Sequence, residues 1–469
     1  MSRAAQERRG RAAYWIAACL LPLLGGCHLP PPHEMPHPPV PAQWSTAVAE
    51  GSAAWPSTDW WKAFGNQELD QLIEQARRAS PDVQAAVYRV REAEAQAEIA
   101  GAPLLPSVDA GASVGPERSL NLIGEERHHI LYQGLVQVHY EFDFWGKNKA
   151  ALQSAQASAQ AARYAQQVVW LTTSVGVANL YFQDLALQDR IKTARENLER
   201  AKRTLEDVSF AERHGTVARL AVVEQQTAVA DVEALLPPLE QQLAATQNAL
   251  AILVGEMPED LHVHGHSILD LAEPEITVGM PSELLERRPD IQEAEANLVA
   301  ADADIRVARA AFLPSFTLPL DVGVASMTLS HGTVPPLGIY SLLASVSQPI
   351  FHGGALKGKL KQSQARYQEL LVGAYRQAVL SSFGDVENAL AALRAARAEK
   401  SSDERAAALA QQSAGMALGS LQGGTGTELD VLQTQSTVLT AQDALVQARL
   451  AYADALLSLI KALGGGWKA

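Results

Sequence analysis

The chain has 469 residues, 47% hydrophobic, 19% charged and 6% aromatic, with a formal net charge of −14. That acidity excludes the basic face that nucleic-acid binding requires. Its only cysteines, Cys19 and Cys27, exclude a disulfide framework and a cysteine-based metal site.

The N-terminus reads as a targeting segment. Arg3, Arg8, Arg9 and Arg11 precede a short apolar run, Tyr14 to Leu24, too short for the ~20 residues of a transmembrane helix. Leu24-Gly25-Gly26-Cys27 then resembles a bacterial lipobox. The resemblance implies a signal peptide over 1–26 and acylation of the Cys27 sulfur; the alternative is a plain signal peptide with an incidental cysteine. His28, in place of an aspartate, favours sorting to the outer membrane. Cleavage removes four arginines and one glutamate, so −14 becomes −17. Residues 27–65 read as a tether. Pro30 to Pro41 is proline-rich and extended; His28, His33 and His37 read as polar linker residues, the alternative being metal binding. Trp55, Trp60 and Trp61 dock the tether onto the body.

From residue 66 the chain repeats itself. Ser80-Pro81-Asp82-Val83-Gln84 returns as Arg288-Pro289-Asp290-Ile291-Gln292, 208 residues on. Leu105-Pro106-Ser107-Val108 returns as Leu313-Pro314-Ser315-Phe316, and Leu220-Ala221-Val222-Val223 as Leu429-Asp430-Val431-Leu432. The first repeat covers 66–265, a linker 266–280, and the second repeat 281–469. Each reads helix, strand pair, helical hairpin.

In the first strand pair, Tyr132, Val136, Val138, Tyr140 and Phe142 alternate with Gln133, Gln137, His139 and Glu141; the partner lies near 105–115, across a polar loop at 116–129. In the second, Tyr340, Leu342, Ala344 and Val346 alternate with Ser341, Ser345 and Ser347; the partner lies near 316–326, across a loop at 327–336. Such alternation marks a transmembrane β-strand, apolar to lipid and polar to the lumen; a half-buried soluble strand shares it. The outer-membrane address, and the lack of another apolar layer to cover the strands, favour the membrane. Four strands cannot close a barrel, and an open edge in lipid costs several kcal/mol per unpaired backbone group. Several chains must therefore share one barrel, and three would supply about twelve strands.

The hairpins read as long coiled-coil helices. The arm from 355 to 421 would run for roughly 100 Å, with Leu356, Leu360, Tyr367, Leu371, Ala374 and Ala378 on one stripe. Beyond the turn Leu421–Thr427 there are two adjacent seven-residue series. One is Leu432, Leu439, Val446, Ala453, Ile460; the other is Val431, Val438, Leu445, Tyr452, Leu459. Together they are too wide for a two-stranded seam, so the helix touches a neighbour on each side, as in the wall of a helical barrel. Pro237-Pro238 predicts a kink or break in the shorter helix of the first hairpin.

These features together resemble the TolC-like outer-membrane efflux proteins, in the lipoprotein branch of the OprM and NodT type. The residues that carry the likeness are Pro281-Ser282-Glu283-Leu284-Leu285-Glu286-Arg287-Arg288-Pro289-Asp290-Ile291, Tyr140-Glu141-Phe142-Asp143-Phe144-Trp145-Gly146-Lys147, Phe351-His352-Gly353-Gly354, Leu429-Asp430-Val431-Leu432 and Lys461-Ala462-Leu463-Gly464-Gly465-Gly466-Trp467. The resemblance implies a homotrimer combining a transmembrane β-barrel, shared by three chains, with a long α-helical barrel across the periplasm. It also implies a periplasmic adaptor and an inner-membrane pump, commonly of the RND type. It places Asp430 toward a narrowing axis. Gln433 stands where relatives often carry a second acidic residue, which implies a weaker acidic gate.

Around that turn two roles are expected. Gly215, Leu220, Gly424 and Leu429, at equivalent turns of the two hairpins, form the adaptor-docking end; the alternative is a loop that merely reverses the chain. Arg219 is the repeat equivalent of Glu428, so Arg219 of one hairpin is expected to latch to Glu428 or Asp430 of an adjacent one; otherwise Asp430 is a favourable charge at a helix N-terminus. No nucleophile with a base, phosphate loop or HExxH occurs, so no enzyme and no cofactor beyond the lipid on Cys27 is expected. His262, His264 and His266 would share a strand face, but no fourth metal ligand accompanies them. The reading is a passive exit duct for small molecules, in a tripartite efflux system. Its alternatives are the outer-membrane part of a type I protein secretion system and a lipid-anchored coiled-coil spacer without a pore.

Overall fold

The computed structural model describes residues 40–45, 55–120, 126–265, 267–276, 278–329 and 332–466. Cys27, the signal peptide and His266 lie outside them. The chain divides into two compact units. One includes Ala93–Ser158 and Asn297–Leu370; the other includes Pro38–Glu92, Ala159–Ala296 and Leu371–Ala469.

The first unit contains an antiparallel sheet of β1 (Ser107–Leu120), β2 (Glu126–Phe142), β3 (Ser315–Leu329), β4 (Gly332–Thr333), β5 (Leu337–Leu342) and β6 (Ser345–Ser347). β2 pairs with β3 from Phe142 opposite Phe316 to Ile130 opposite Thr328, joining the two repeats, and β4, β5 and β6 all pair with β3. The outer edges, on β1 and on β5 and β6, are unpaired among the described residues, and in lipid such open edges require strands from another copy.

Register sorts the side chains by face. Val136 stands opposite Ala110 and Val322, and Val322 opposite Tyr340; all but Ala110 are large apolar side chains left exposed. On the other face Asp109, Gln137, Asp321 and Ser341 share one cross-strand row, and Gln137 Nε2 donates to Asp321 Oδ1 at 3.1 Å. From Tyr132 to Phe142 the apolar face runs ~33 Å along the strand, or ~25 Å at the tilt of a membrane barrel. Its helix-side rim is aromatic. Tyr140 and Phe142, Phe142 and Phe144, and Phe144 and Phe316 have ring centroids 4.9, 5.7 and 5.0 Å apart, as in an interfacial girdle.

Two expectations about the strands need correction. In the polar stretch at 116–129 pairing continues from Pro116 opposite Ile130 to Leu120 opposite Glu126, and in that at 327–336 strand persists over 327–329 and 332–333, with Thr328 opposite Thr333. Backbone pairing needs no apolar side chains, and Pro116 is tolerated on the edge strand. The fourth strand is split at Leu343-Ala344. Those residues lie opposite Pro319 and Leu318, and Pro319 has no N–H to give to the ladder.

Eight helices longer than one turn are described: α1 (Gln67–Ala79), α2 (Pro81–Gly101), α3 (Lys147–Arg213), α4 (Arg219–Val254), α5 (Pro289–Ala310), α6 (Ala355–Glu369), α7 (Arg376–Gln422) and α8 (Glu428–Ala462). In the second unit, Leu69 and Ile73 of α1, Tyr181, Phe182 and Leu185 of α3, Leu250 of α4 and Leu456 and Ile460 of α8 pack into one core with Trp60, Trp61 and Phe64. Both seven-residue series of α8 turn inward, with Val431, Val438, Val446, Tyr452, Ala453, Leu459 and Ile460 buried.

The single arm expected over 355–421 is interrupted by a π-helical turn, Leu370–Tyr375, between α6 and α7. A π turn inserts one extra residue. The apolar stripe therefore slips by one: Tyr375 and Val379 are buried, rather than Ala374 and Ala378. Conversely, α4 runs through Pro237 and Pro238 unbroken. Leu236, Leu239 and Leu243 around the prolines pack on Leu187, Ile191 and Ala194 of α3, which holds the helix together despite the lost N–H groups.

Candidate functional site

Both hairpins reverse with the same geometry. Gly215 and Gly424 have φ of +74° and +73°. Gly215 N donates to Glu212 O and Thr216 N to Ala211 O; 209 residues on, Gly424 N donates to Leu421 O and Thr425 N to Ser420 O. This is the paired closure of a Schellman motif, which needs φ > 0 at the reversing residue. Leu220 and Leu429, at equivalent places just beyond the turns, are bare apolar side chains, 66% and 63% exposed. Between the ends of α7 and α8 lies a groove of about 530 Å³, lined by Leu409, Met416, Ser420, Thr425, Gly426 and Asp430 among others.

The two turns differ in charge. On α8, Thr427 and Asp430 form a capping box: Asp430 N donates to Thr427 Oγ1 at 3.2 Å, and Thr427 N donates to Asp430 Oδ2 at 3.0 Å. The Thr427 hydroxyl also donates to Asp430 Oδ2 at 2.6 Å. These bonds, the hydroxyl first, hold the Asp430 carboxyl below its ordinary range, which favours its ionised form. Glu428 adds a second negative charge to that first turn. On α4 the equivalent cap is Ala218, which makes no side-chain bond, and the first turn holds no acidic residue. The first residue is instead Arg219, exposed, with no ion pair among the described residues. A cation there opposes the helix dipole. The chain itself does not bring Arg219 to Glu428 or Asp430. Gln433 is exposed on the next turn of α8.

Other contacts join residues far apart in the chain. Arg288 is buried and bidentate on Asp290, at 2.9 and 2.6 Å, with further bonds to Asp385 Oδ2 and the Ala462 carbonyl. It ties α5, α7 and the end of α8 together; the repeat equivalent, Ser80, is buried with its hydroxyl unpartnered. Glu273 of the inter-repeat linker is gripped by Lys400 and Arg449. The linker strap is also fixed by Trp44 Nε1 on the Gly279 carbonyl and by Trp55, which donates to Glu283 beneath the Arg287 guanidinium. His264 meets one carboxylate, Glu68, at 3.5 Å and is 81% exposed. Among the described residues no three His, Cys, Asp or Glu side chains are grouped to hold a metal.

Asp184 is the charge most at odds with its surroundings. It is fully buried, one oxygen has no hydrogen-bond partner, and burial raises its pKa to about 6. It is the first acidic residue of α3, after a long acid-free run, and that was the available signal. Because the folded pKa lies above the unfolded one, the ionised form is disfavoured in the fold; stability rises as pH falls from about 6 toward 4, and the penalty is complete above 6. Asp184→Asn is therefore expected to stabilise the solubilised trimer by ~1–3 kcal/mol at pH 7.5 and by little near pH 4. Thermal loss of helical circular dichroism at the two pH values measures this, and equal shifts at both would show that the charge is not the cause.

Comparison with known proteins agrees with this architecture. The Outer membrane efflux protein family matches residues 72–256 and again 280–465, the second match starting 208 residues after the first. The chain is 39% identical over 462 residues to the pyoverdine export outer membrane protein OpmQ of Pseudomonas putida, covering 96% of this chain and 97% of that one. It is 39% identical to OpmQ of Pseudomonas aeruginosa, over 97% and 96% of the two chains. The open-state structure of the MtrE outer membrane channel of Neisseria gonorrhoeae superposes with a TM-score of 0.83 at 27% identity, covering 94% of this chain and 99% of that one. A family match to both halves, on a sheet with open edges between long helices, identifies the chain as a member of the outer membrane efflux protein family: a passive outer-membrane channel that acts as a homotrimer in tripartite efflux systems, and not an enzyme.

Proposed function

We propose that this channel is the exit duct for a secreted small molecule of the pyoverdine type, handed to it by a periplasmic adaptor and an inner-membrane pump. The observation that carries the cargo class is the 39% identity to both pyoverdine export proteins along nearly the full length of each chain. The adaptor docks on the two hairpin turns, with Leu220 and Leu429 as its apolar contacts. The periplasmic gate is a latch between Arg219 of one hairpin and Glu428 or Asp430 of a neighbouring copy, and the opposite charges on two otherwise equivalent turns support it. Acylation of Cys27 anchors the N-terminus in the outer membrane.

In a pyoverdine-producing Pseudomonas putida strain lacking OpmQ, this chain is expected to restore pyoverdine to the culture supernatant, quantified by mass spectrometry. Leu220→Arg and Leu429→Arg together should abolish that restoration without lowering trimer yield. An assembled wild-type trimer that restores nothing would reject the cargo assignment, and undiminished export by the double variant would reject the docking site.

A further inference from the structure

The foot of the sheet carries charges that its own chain does not balance. α6 begins Ala355-Leu356-Lys357-Gly358-Lys359-Leu360-Lys361, so three exposed lysines fall in its first two turns. No acidic residue lies in the first turn, and the N-cap, Gly354, offers no side chain to the free N–H groups. The N-terminus of a helix is the positive end of its dipole, which opposes the ammonium groups, and Lys357 and Lys361, four apart on one face, also repel each other. Among the described residues none of the three has an ion-pair partner. The only carboxylate of α6, Glu369, is its last residue and is bonded by Arg366.

The first repeat shows the balanced version of this corner. Phe144-Trp145-Gly146 corresponds to Phe351-His352-Gly353. Ahead of it, Asp143 accepts from the backbone N–H groups of Asn148 and Lys149 at 3.1 and 2.8 Å, and Glu141 pairs with Lys147 at 2.6 Å. The residues at the places of Asp143 and Glu141 in the second repeat are Ile350 and Gln348. Both anions are gone, and Ile350 and Phe351 stand 89% and 86% exposed. They line one cavity of about 460 Å³ with Phe142, Trp145 and Lys147, at the aromatic rim of the apolar sheet face.

Bare apolar side chains next to unpaired ammonium groups are unfavourable in water and suited to the boundary of a bilayer. There the apolar groups enter the acyl region and lysines reach the phosphates. We propose that this foot binds anionic phospholipid in the periplasmic leaflet. Ile350 and Phe351 enter the acyl boundary, and Lys357, Lys359 and Lys361 take the headgroup phosphates that the missing carboxylates would otherwise replace. The proposal rests on the channel spanning the outer membrane, and not on its cargo or its gate.

The test uses the full-length trimer in phosphatidylcholine vesicles, with a trace of spin-labelled phosphatidylglycerol or phosphatidylcholine. Wild type is expected to immobilise phosphatidylglycerol roughly threefold more than phosphatidylcholine at low salt, with the preference falling in about 0.5 M NaCl. K357Q/K359Q/K361Q should bring the ratio to about one while the trimer persists, and I350S/F351S should weaken retention of both lipids. Equal retention of the two lipids by wild type, or an unchanged ratio in the lysine variant, would overturn the proposal. So would dissociation of the lysine variant into monomers, which would assign the lysines to a contact between copies. Displacement of the lipid by inorganic phosphate would overturn it in favour of a free-anion site.

Discussion

Arg219→Ala is expected to raise the resting single-channel conductance of the trimer in planar bilayers several-fold. Each exposed latch is weak by itself, but three that must open together multiply their bias toward the closed state. Asp430→Ala should act similarly, and the double variant should add little to either, because both remove one interaction. The capping box complicates the second substitution, since Asp430 also satisfies Thr427 N. Thr427→Ala separates the roles: it removes the hydroxyl that bonds Asp430 and leaves the carboxylate. A latch predicts that Thr427→Ala conducts nearly as wild type, and a cap predicts that it matches Asp430→Ala. The lowered pKa of Asp430 adds a sign. The carboxylate survives acidification to about pH 5, so the gate should not open there. If both Arg219→Ala and Asp430→Ala conduct as wild type, Asp430 is only a helix cap.

Gly464→Val and Gly255→Val are expected to remove the trimer from the outer membrane. A Cβ on Gly464 would lie 2.3 Å from the Arg287 carbonyl oxygen, and one on Gly255 2.3 Å from that of Ala79. Ala79 and Arg287 are themselves 208 residues apart, so each repeat seals its last helix against its first by the same close approach. The φ angles, +87° and +80°, add strain for a β-branched residue. Together clash and strain should cost more than ~3 kcal/mol per site. Gly424→Ala is the control: its φ is +73°, but nothing lies within 4 Å, so a loss of only ~1 kcal/mol is expected. Heat-modifiable trimer on gels, together with membrane-fraction yield, reads the difference. Wild-type amounts of Gly464→Val trimer would show that the approach is dispensable.

Local pattern was enough to place the elements and their order. Period-two alternation at Tyr132–Phe142, period-seven series on α8 and the 208-residue echo are local or self-referential patterns, and the unclosable four-strand sheet follows from counting. The turns at Gly215 and Gly424 were legible because only glycine accepts φ > 0 freely there. The capping box was legible in principle from Thr427-x-x-Asp430. Where those patterns stop or slip depends on packing. Strand pairing ran into Pro116–His129 because the ladder is set by backbone groups. Burial past residue 370 moved by one place because a π turn inserts a residue, and α4 passed through Pro237-Pro238 because its leucines were already held on α3. The joint work of Arg288, Asp290 and Asp385, and the isolation of the Asp184 carboxylate, depend on residues far apart in the chain. Local periodicity carries no information about such encounters, because only folding brings the partners together and only burial sets the cost of leaving one unpaired.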